Sequence, residues 1–303
     1  MAPTSKRAVM ATFTFPRVER NTDMAERHSL AVIRERTYKA GDAWWTVWLV
    51  DPLAARLVWL VSPWRWVTPN RITVAAFVVG AGSAAAFYQF TYAWLFVGAV
   101  LYHLSFVLDC IDGKIARLNG TGSVFGAWLD YVFDRLRVLV CAIGLFGGGY
   151  HATHDFVYLW LALAVIFLDM FRYLNALETS KVKSDMQSRL VAAGAEPASM
   201  DGENPGEALQ GDFRQKFGRF AQFREFLLRN RIRVHVFSGI EFMMFVFIVA
   251  PVVNQVKLVT IASCALMLVF ELLLVYKLWT HTQTFARRLA KLERAESLET
   301  TSV

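Results

Sequence analysis

The chain has 303 residues, 55% of them hydrophobic, with a mean hydropathy of +0.37 and a formal net charge of +7. That balance excludes a soluble globular domain and marks a polytopic membrane protein. The three cysteines, Cys110, Cys141 and Cys264, all lie in apolar segments, read as small buried hydrophobes, and exclude a disulfide framework.

Residues 1–43 are polar, mixed in charge and without an apolar signal-peptide core, so they read as a cytoplasmic tail with no assigned function. Residues 44–62 are apolar enough to imitate a span, but Asp51, Pro52 and Arg56 at their centre argue against one. Asp51-Pro52 reads instead as an N-cap and first helical turn. A short helix over 52–63 then lies in the cytoplasmic interface within a juxtamembrane region 44–70, with Trp44, Trp45, Trp48 and Trp64 as belt residues.

Six spans follow, at about 71–90, 93–118, 123–148, 156–177, 235–253 and 257–279, each near the ~20 residues that a bilayer requires. Lys and Arg set their orientation. Eleven lie before or at Arg71, ten in the loop 178–234 and five from Lys277 onward, against Lys257 alone in the three opposite loops. Both termini and the long loop are therefore expected in the cytoplasm. The expected fold is an all-α integral membrane protein: six transmembrane helices over 71–279 with an amino-terminal interfacial amphipathic helix, and a cytoplasmic tail over 280–303.

Within the long loop, 194–212 is rich in Gly, Pro and acidic residues and reads as flexible. Residues 213–233 read as a basic amphipathic helix with Phe213, Phe217, Phe220 and Leu227 on one face. It suits either an anionic lipid surface or the protein's own cytoplasmic rim.

Four aspartates dominate the second and third spans: Asp109, Asp112, Asp130 and Asp134. A charged side chain in a bilayer costs roughly 2.5–3.5 kcal/mol on insertion scales. Four of one sign repel one another at low dielectric and call for cations. Four carboxylates suffice for two hard divalent cations, Mg²⁺ or Mn²⁺. Asp109 and Asp112 share one helix face, and so do Asp130 and Asp134. Gly113 and Ala116 clear space beside Asp112, Gly126 does so one turn before Asp130, and Arg117 is placed as a phosphate clamp.

Other intramembrane charges fall at a similar depth, roughly 12–14 Å from the cytoplasmic face at 1.5 Å per residue. They are Arg135, Arg137, Asp169, Arg172, Glu241 and Glu271, and they point to one polar chamber open to the cytoplasm. Each also has a structural reading. Asp169 and Arg172 are spaced to neutralise each other, Glu241 belongs to a polar stripe with His235 and Ser238, and Arg137 and Glu271 suit structural pairing.

The aspartates and their neighbours spell D-x2-D-G-x2-A-R-x8-G-x3-D-x3-D. This pattern resembles the signature of the CDP-alcohol phosphotransferase family, and the run Pro69-Asn70-Arg71-Ile72-Thr73 resembles the family's entry to its first span. The resemblance implies transfer of a substituted phosphate from a CDP-linked lipid such as CDP-diacylglycerol to an alcohol, with release of CMP. It implies Asp109, Asp112, Asp130 and Asp134 around two divalent cations, with Asp134 also the general base. It places Asn70, Thr73, Asp112, Gly113, Ala116, Arg117 and Gly126 around the CDP moiety. Arg135, Arg137, Asp169, Arg172 and Glu241 are candidates on the acceptor side. Arginines near the chamber tilt the acceptor toward inositol phosphate or glycerol phosphate.

A homodimer in the cell membrane, with its active site facing the cytoplasm and no nucleic-acid partner, completes the expectation. The competing reading is a cation-coupled transporter that uses the aspartates as an ion path. An ion path alone does not require Gly113, Ala116, Arg117 and Gly126 between the carboxylates.

Overall fold

The computed structural model describes residues 29–64, 66–194, 218–233 and 235–301. Its helices are α1 (Leu30–Thr37), α2 (Asp51–Val61), α3 (Pro69–Tyr88), α4 (Tyr92–Asn119), α5 (Val124–Thr153), α6 (Val157–Ala192), α7 (Gly218–Arg229), α8 (Gly239–Val252) and α9 (Val256–Thr301). The described residues contain no strand, only an isolated bridge between Asp42 and Ile232.

Among the described residues, four helices are long and apolar enough to cross a membrane: α3, α4, α6 and α9, the last over Val256–Leu292. By length and composition these four helices suit a multi-pass membrane protein. The expected third span is α5, whose 30 residues include Asp130, Asp134, Arg135 and Arg137. The expected fifth is α8, an apolar helix over Gly239–Val252. The fourth and sixth helices outrun their expected spans, with α6 continuing to Ala192 and α9 to Thr301. The expected flexible stretch 194–212 falls almost wholly outside the described residues, as do Phe213 and Phe217 of the amphipathic face; Leu227 is buried on α7.

The entry to α2 corrects the sequence reading. Helical backbone already begins at Trp44, passes through a π-turn at Thr46–Val50, and continues into α2. Asp51 is thus inside the helix rather than at its cap. Pro52 lacks an N–H and crowds the preceding turn, and the wider π-turn absorbs that defect. The same device recurs in α8, where a π-turn over Phe245–Val249 precedes Pro251.

Asp51 is buried, and its carboxylate pairs with Lys114 at 2.7 Å and Arg231 at 3.1 Å. The Tyr38 hydroxyl donates to the Asp51 carbonyl at 3.0 Å. Burial first, and then the charge of Asp51, push the Tyr38 hydroxyl above its usual range, so it stays protonated and keeps donating.

α3 is the packing spine, lying against both α4 and α5. Small residues permit the approach. A Cβ on Gly144 would meet Ala84 Cα at 2.8 Å, and one on Gly148 would meet Tyr88 Cα at 2.7 Å. Ser83 and Ser105 donate across to α4 and back to α3, to the carbonyls of Gly98 and Ala76 at 2.8 and 2.6 Å. α4 and α5 are themselves in little direct contact, and the space between them becomes the site.

Candidate active site

Two caps set the geometry of the α4–α5 connection. Gly120 ends α4 in the left-handed region with φ 62°, where a residue without Cβ is unstrained. Ser123 opens α5 by accepting from the Gly126 amide at 2.9 Å. The chain thereby reverses, and Asp109 and Asp112 on α4 face Asp130 and Asp134 on α5.

Asp109, Asp112 and Asp130 each offer a carboxylate oxygen, and these atoms lie within 4.8 Å of one another. An all-carboxylate donor set fits a hard divalent cation such as Mg²⁺ or Mn²⁺. The Thr73 hydroxyl donates to Asp112. A Cβ on Gly126 would stand 3.1 Å from Asn70 Oδ1, so this glycine admits the start of α3 against the start of α5. Thr73 therefore sits on Asp112, and Asn70 sits beside Gly126, one turn before Asp130.

Asp134 is not among the converging three. It accepts from Arg137, whose other terminal nitrogen is 3.2 Å from Asp109 Oδ1. Arg135 is 3.9 Å from Asp134, donates to Asp169, and stacks 3.5 Å over the Tyr173 ring. Asp169 is therefore the partner of Arg135, not of Arg172 as its spacing had offered. Arg172 instead pairs with Glu271 at 3.4 Å and faces Phe270.

A cavity of about 280 Å³ opens over this cluster. Asp109, Asp112, Gly113, Arg117, Asp130, Asp134, Arg135, Arg137 and Asp169 all line it. Tyr102, Phe106, Met243 and Met244 supply apolar wall. Ala116, Gly126, Asn70 and Thr73 are adjacent but not in the lining, and neither Arg172 nor Glu241 lines it. Glu241 serves the start of α8, where its Oε2 accepts from the Ser238 amide at 3.1 Å and hydroxyl at 2.8 Å.

Lys39, Asp42, Thr46, Lys114 and Arg233 also line the cavity, and the sequence reading had given them no place. Their signal is tertiary. The backbone of Arg233 donates to Asp42 and that of Asp42 to Arg231, each at 2.9 Å, which draws the segment after α7 onto the segment before the π-turn.

The fold and cluster define a helical membrane protein with an acidic, arginine-framed site. The family model for CDP-alcohol phosphatidyltransferase matches residues 66–195, which hold all four aspartates. Among curated proteins, the chain is 43% identical over 68 residues to a bifunctional IPC transferase and DIPP synthase of Aquifex aeolicus, covering 22% of this chain and 15% of that one. It is 35% identical over 88 residues to a phosphatidylinositol phosphate synthase of Corynebacterium glutamicum, covering 29% and 37%. It is 31% identical over 108 residues to a CDP-diacylglycerol–glycerol-3-phosphate 3-phosphatidyltransferase of Cereibacter sphaeroides, covering 35% and 48%. The chain spans less than half the length of each of these relatives.

Proposed function

We propose that this protein transfers a phosphatidyl group from a CDP-linked lipid, such as CDP-diacylglycerol, to the hydroxyl of an alcohol acceptor and releases CMP. The observation that carries the reading is the convergence of Asp109, Asp112 and Asp130 within 4.8 Å at the wall of a cavity that Asp134 and Arg117 also line. A divalent cation held by these carboxylates, or two with Asp134 included, would neutralise the donor's pyrophosphate and stabilise the departing CMP.

The chain's own residues supply the rest. Arg117 is placed to pair with donor phosphate, and Gly113 and Ala116 leave backbone open for the nucleotide. Asp134 takes the acceptor's hydroxyl proton as that oxygen bonds to the β-phosphorus. The bond between the β-phosphorus and the bridging oxygen breaks in the same displacement, and CMP carries that oxygen away. Arg135 and Arg137, both at the cavity wall, suit an acceptor that itself bears phosphate. Relatives named for inositol phosphate and glycerol phosphate chemistry support those two acceptors.

In the same reading α3, α4, α5, α6, α8 and α9 are six spans. The charges of α5 face the cavity rather than lipid, and α8's 14 residues reach about 21 Å at 1.5 Å per residue. Both termini and the cavity mouth face the cytoplasm, α2 lies at the interface, and the protein works as a homodimer in the cell membrane. The acyl chains of the donor stay in lipid while its diphosphate enters the cavity.

The test is CMP release by purified protein in lipid, given CDP-diacylglycerol, Mg²⁺ or Mn²⁺, and alcohols added singly. CMP that depends on one acceptor supports the reading and names the acceptor. Absence of CDP-diacylglycerol binding would overturn it and favour a cation path through the aspartates.

A further inference from the structure

Arg137 stands one turn beyond Asp134 on α5, yet its guanidinium reaches α4. One terminal nitrogen lies 3.2 Å from Asp109 Oδ1, and the other donates to Asp134 Oδ1. The side chain is only 5% exposed. Its stem occupies room left by Gly80 on α3, where a Cβ would stand 2.9 Å from Arg137 Cγ and 3.1 Å from Ser105 Oγ. The arginine's place is thus built into the packing of α3, α4 and α5.

The four aspartates are divided by this arrangement. Three converge within 4.8 Å, and the fourth is tied to a resident cation that also holds one of the three. A carboxylate has two oxygens, so Asp109 can serve the arginine through Oδ1 and a metal through Oδ2. Asp134 has no such free oxygen: its Oδ1 accepts from Arg137 and its Oδ2 lies 3.9 Å from Arg135, so a second divalent cation there would sit beside two guanidiniums. Like charges a few ångströms apart repel strongly in a low-dielectric site. The guanidinium cannot lose its charge to make way, since it stays protonated at any working pH.

Building on the divalent-cation reading above, we infer that Arg137 is a tethered counter-cation that orders metal loading. The first divalent cation binds at Asp109, Asp112 and Asp130 with the guanidinium in place. A second binds at Asp134 only by displacing the guanidinium. Arg137 is in this sense a positioning residue: it holds Asp134 out of the first cation's ligand set and so leaves its carboxylate available as a base.

The experiment is Mn²⁺ titration of the full chain in lipid, with free Mn²⁺ read by electron paramagnetic resonance and no substrate present. The wild-type protein is expected to bind one Mn²⁺ tightly and a second at least roughly tenfold more weakly, the scale of an ordinary coupling between two sites. In Arg137→Met the second phase should tighten until the two merge, while the first phase holds. Arg137→Lys keeps a buried cation and should keep the phases apart. Coincident phases in the wild-type protein would overturn the inference without any variant. So would an Arg137→Met curve, from protein that elutes and melts as a folded species, that superimposes on the wild-type curve. Failure of the wild-type chain to bind any Mn²⁺ would sink the cation reading of the aspartates itself, and the inference with it.

Discussion

Asp51 and Lys114 form an ion pair at 2.7 Å with 3% and 5% of their side chains exposed, although 63 residues separate them. The pair ties α2 to α4 two residues beyond Asp112. It therefore couples a segment outside the family-matched stretch 66–195 to the helix that carries half of the acidic cluster.

Breaking that pair from one side should be costly. Asp51→Ala leaves the Lys114 ammonium buried and uncompensated, and removing one partner of a buried pair costs about 3–5 kcal/mol. A melting curve in detergent should show a large fall for Asp51→Ala, with much of it recovered in Asp51→Leu combined with Lys114→Met. An unchanged melting temperature in the single variant would remove the pair from the fold's supports.

Gly144 and Gly148 set how closely α5 approaches α3. Alanine at either position would push Cβ into the α3 backbone, and overpacking of this kind costs about 1–3 kcal/mol. Because the displaced helix carries Asp130, Gly144→Ala should lower both the melting temperature and Mn²⁺ affinity. Wild-type values for both would show that the helices have slack that the close approach does not imply.

Asp109→Asn and Asp112→Asn each remove one carboxylate from the converging three. Either variant should lose Mn²⁺ binding and, with it, binding of the CDP-linked donor. A Mn²⁺ titration that matches wild type would take that residue out of the ligand set.

The acidic cluster was legible because it is local. Spacings of three and four put each aspartate pair on one face, and Gly113, Gly126 and Arg117 fall in the same window. Nothing local marks Lys114 as the partner of Asp51, or Lys39 and Arg233 as cavity residues, since those contacts exist only once α2, α4 and the segment after α7 meet. Arg137 was half visible. Its spacing from Asp134 is readable, but its reach to Asp109 depends on room at Gly80. Glu241 had a local signal that a polar-stripe reading passes over: Ser238-x-x-Glu241 before an apolar run is a capping box, and the structure uses it as one. The two π-turns precede Pro52 and Pro251, where the sequence marks a helix defect without saying whether the chain stops or widens.

Asp134 is assigned the proton from the acceptor. Asp134→Asn should retain Mn²⁺ at the converging aspartates and retain CDP-diacylglycerol, while turnover falls by at least about 100-fold, as expected when a general base is removed. Retained turnover would end its assignment as base.

The most direct test follows both products in one reaction. Purified protein in lipid is given CDP-diacylglycerol, Mn²⁺ and inositol phosphate or glycerol phosphate, and CMP and the new phospholipid are measured together by mass spectrometry. The account predicts equal amounts of CMP and of a lipid whose mass is the acceptor plus one phosphatidyl group, with both lowered at least about 100-fold in Asp134→Asn. CMP formed at the same rate without acceptor, with phosphatidic acid in place of the conjugated lipid, would contradict transfer and mark the protein as a hydrolase of the CDP-linked lipid.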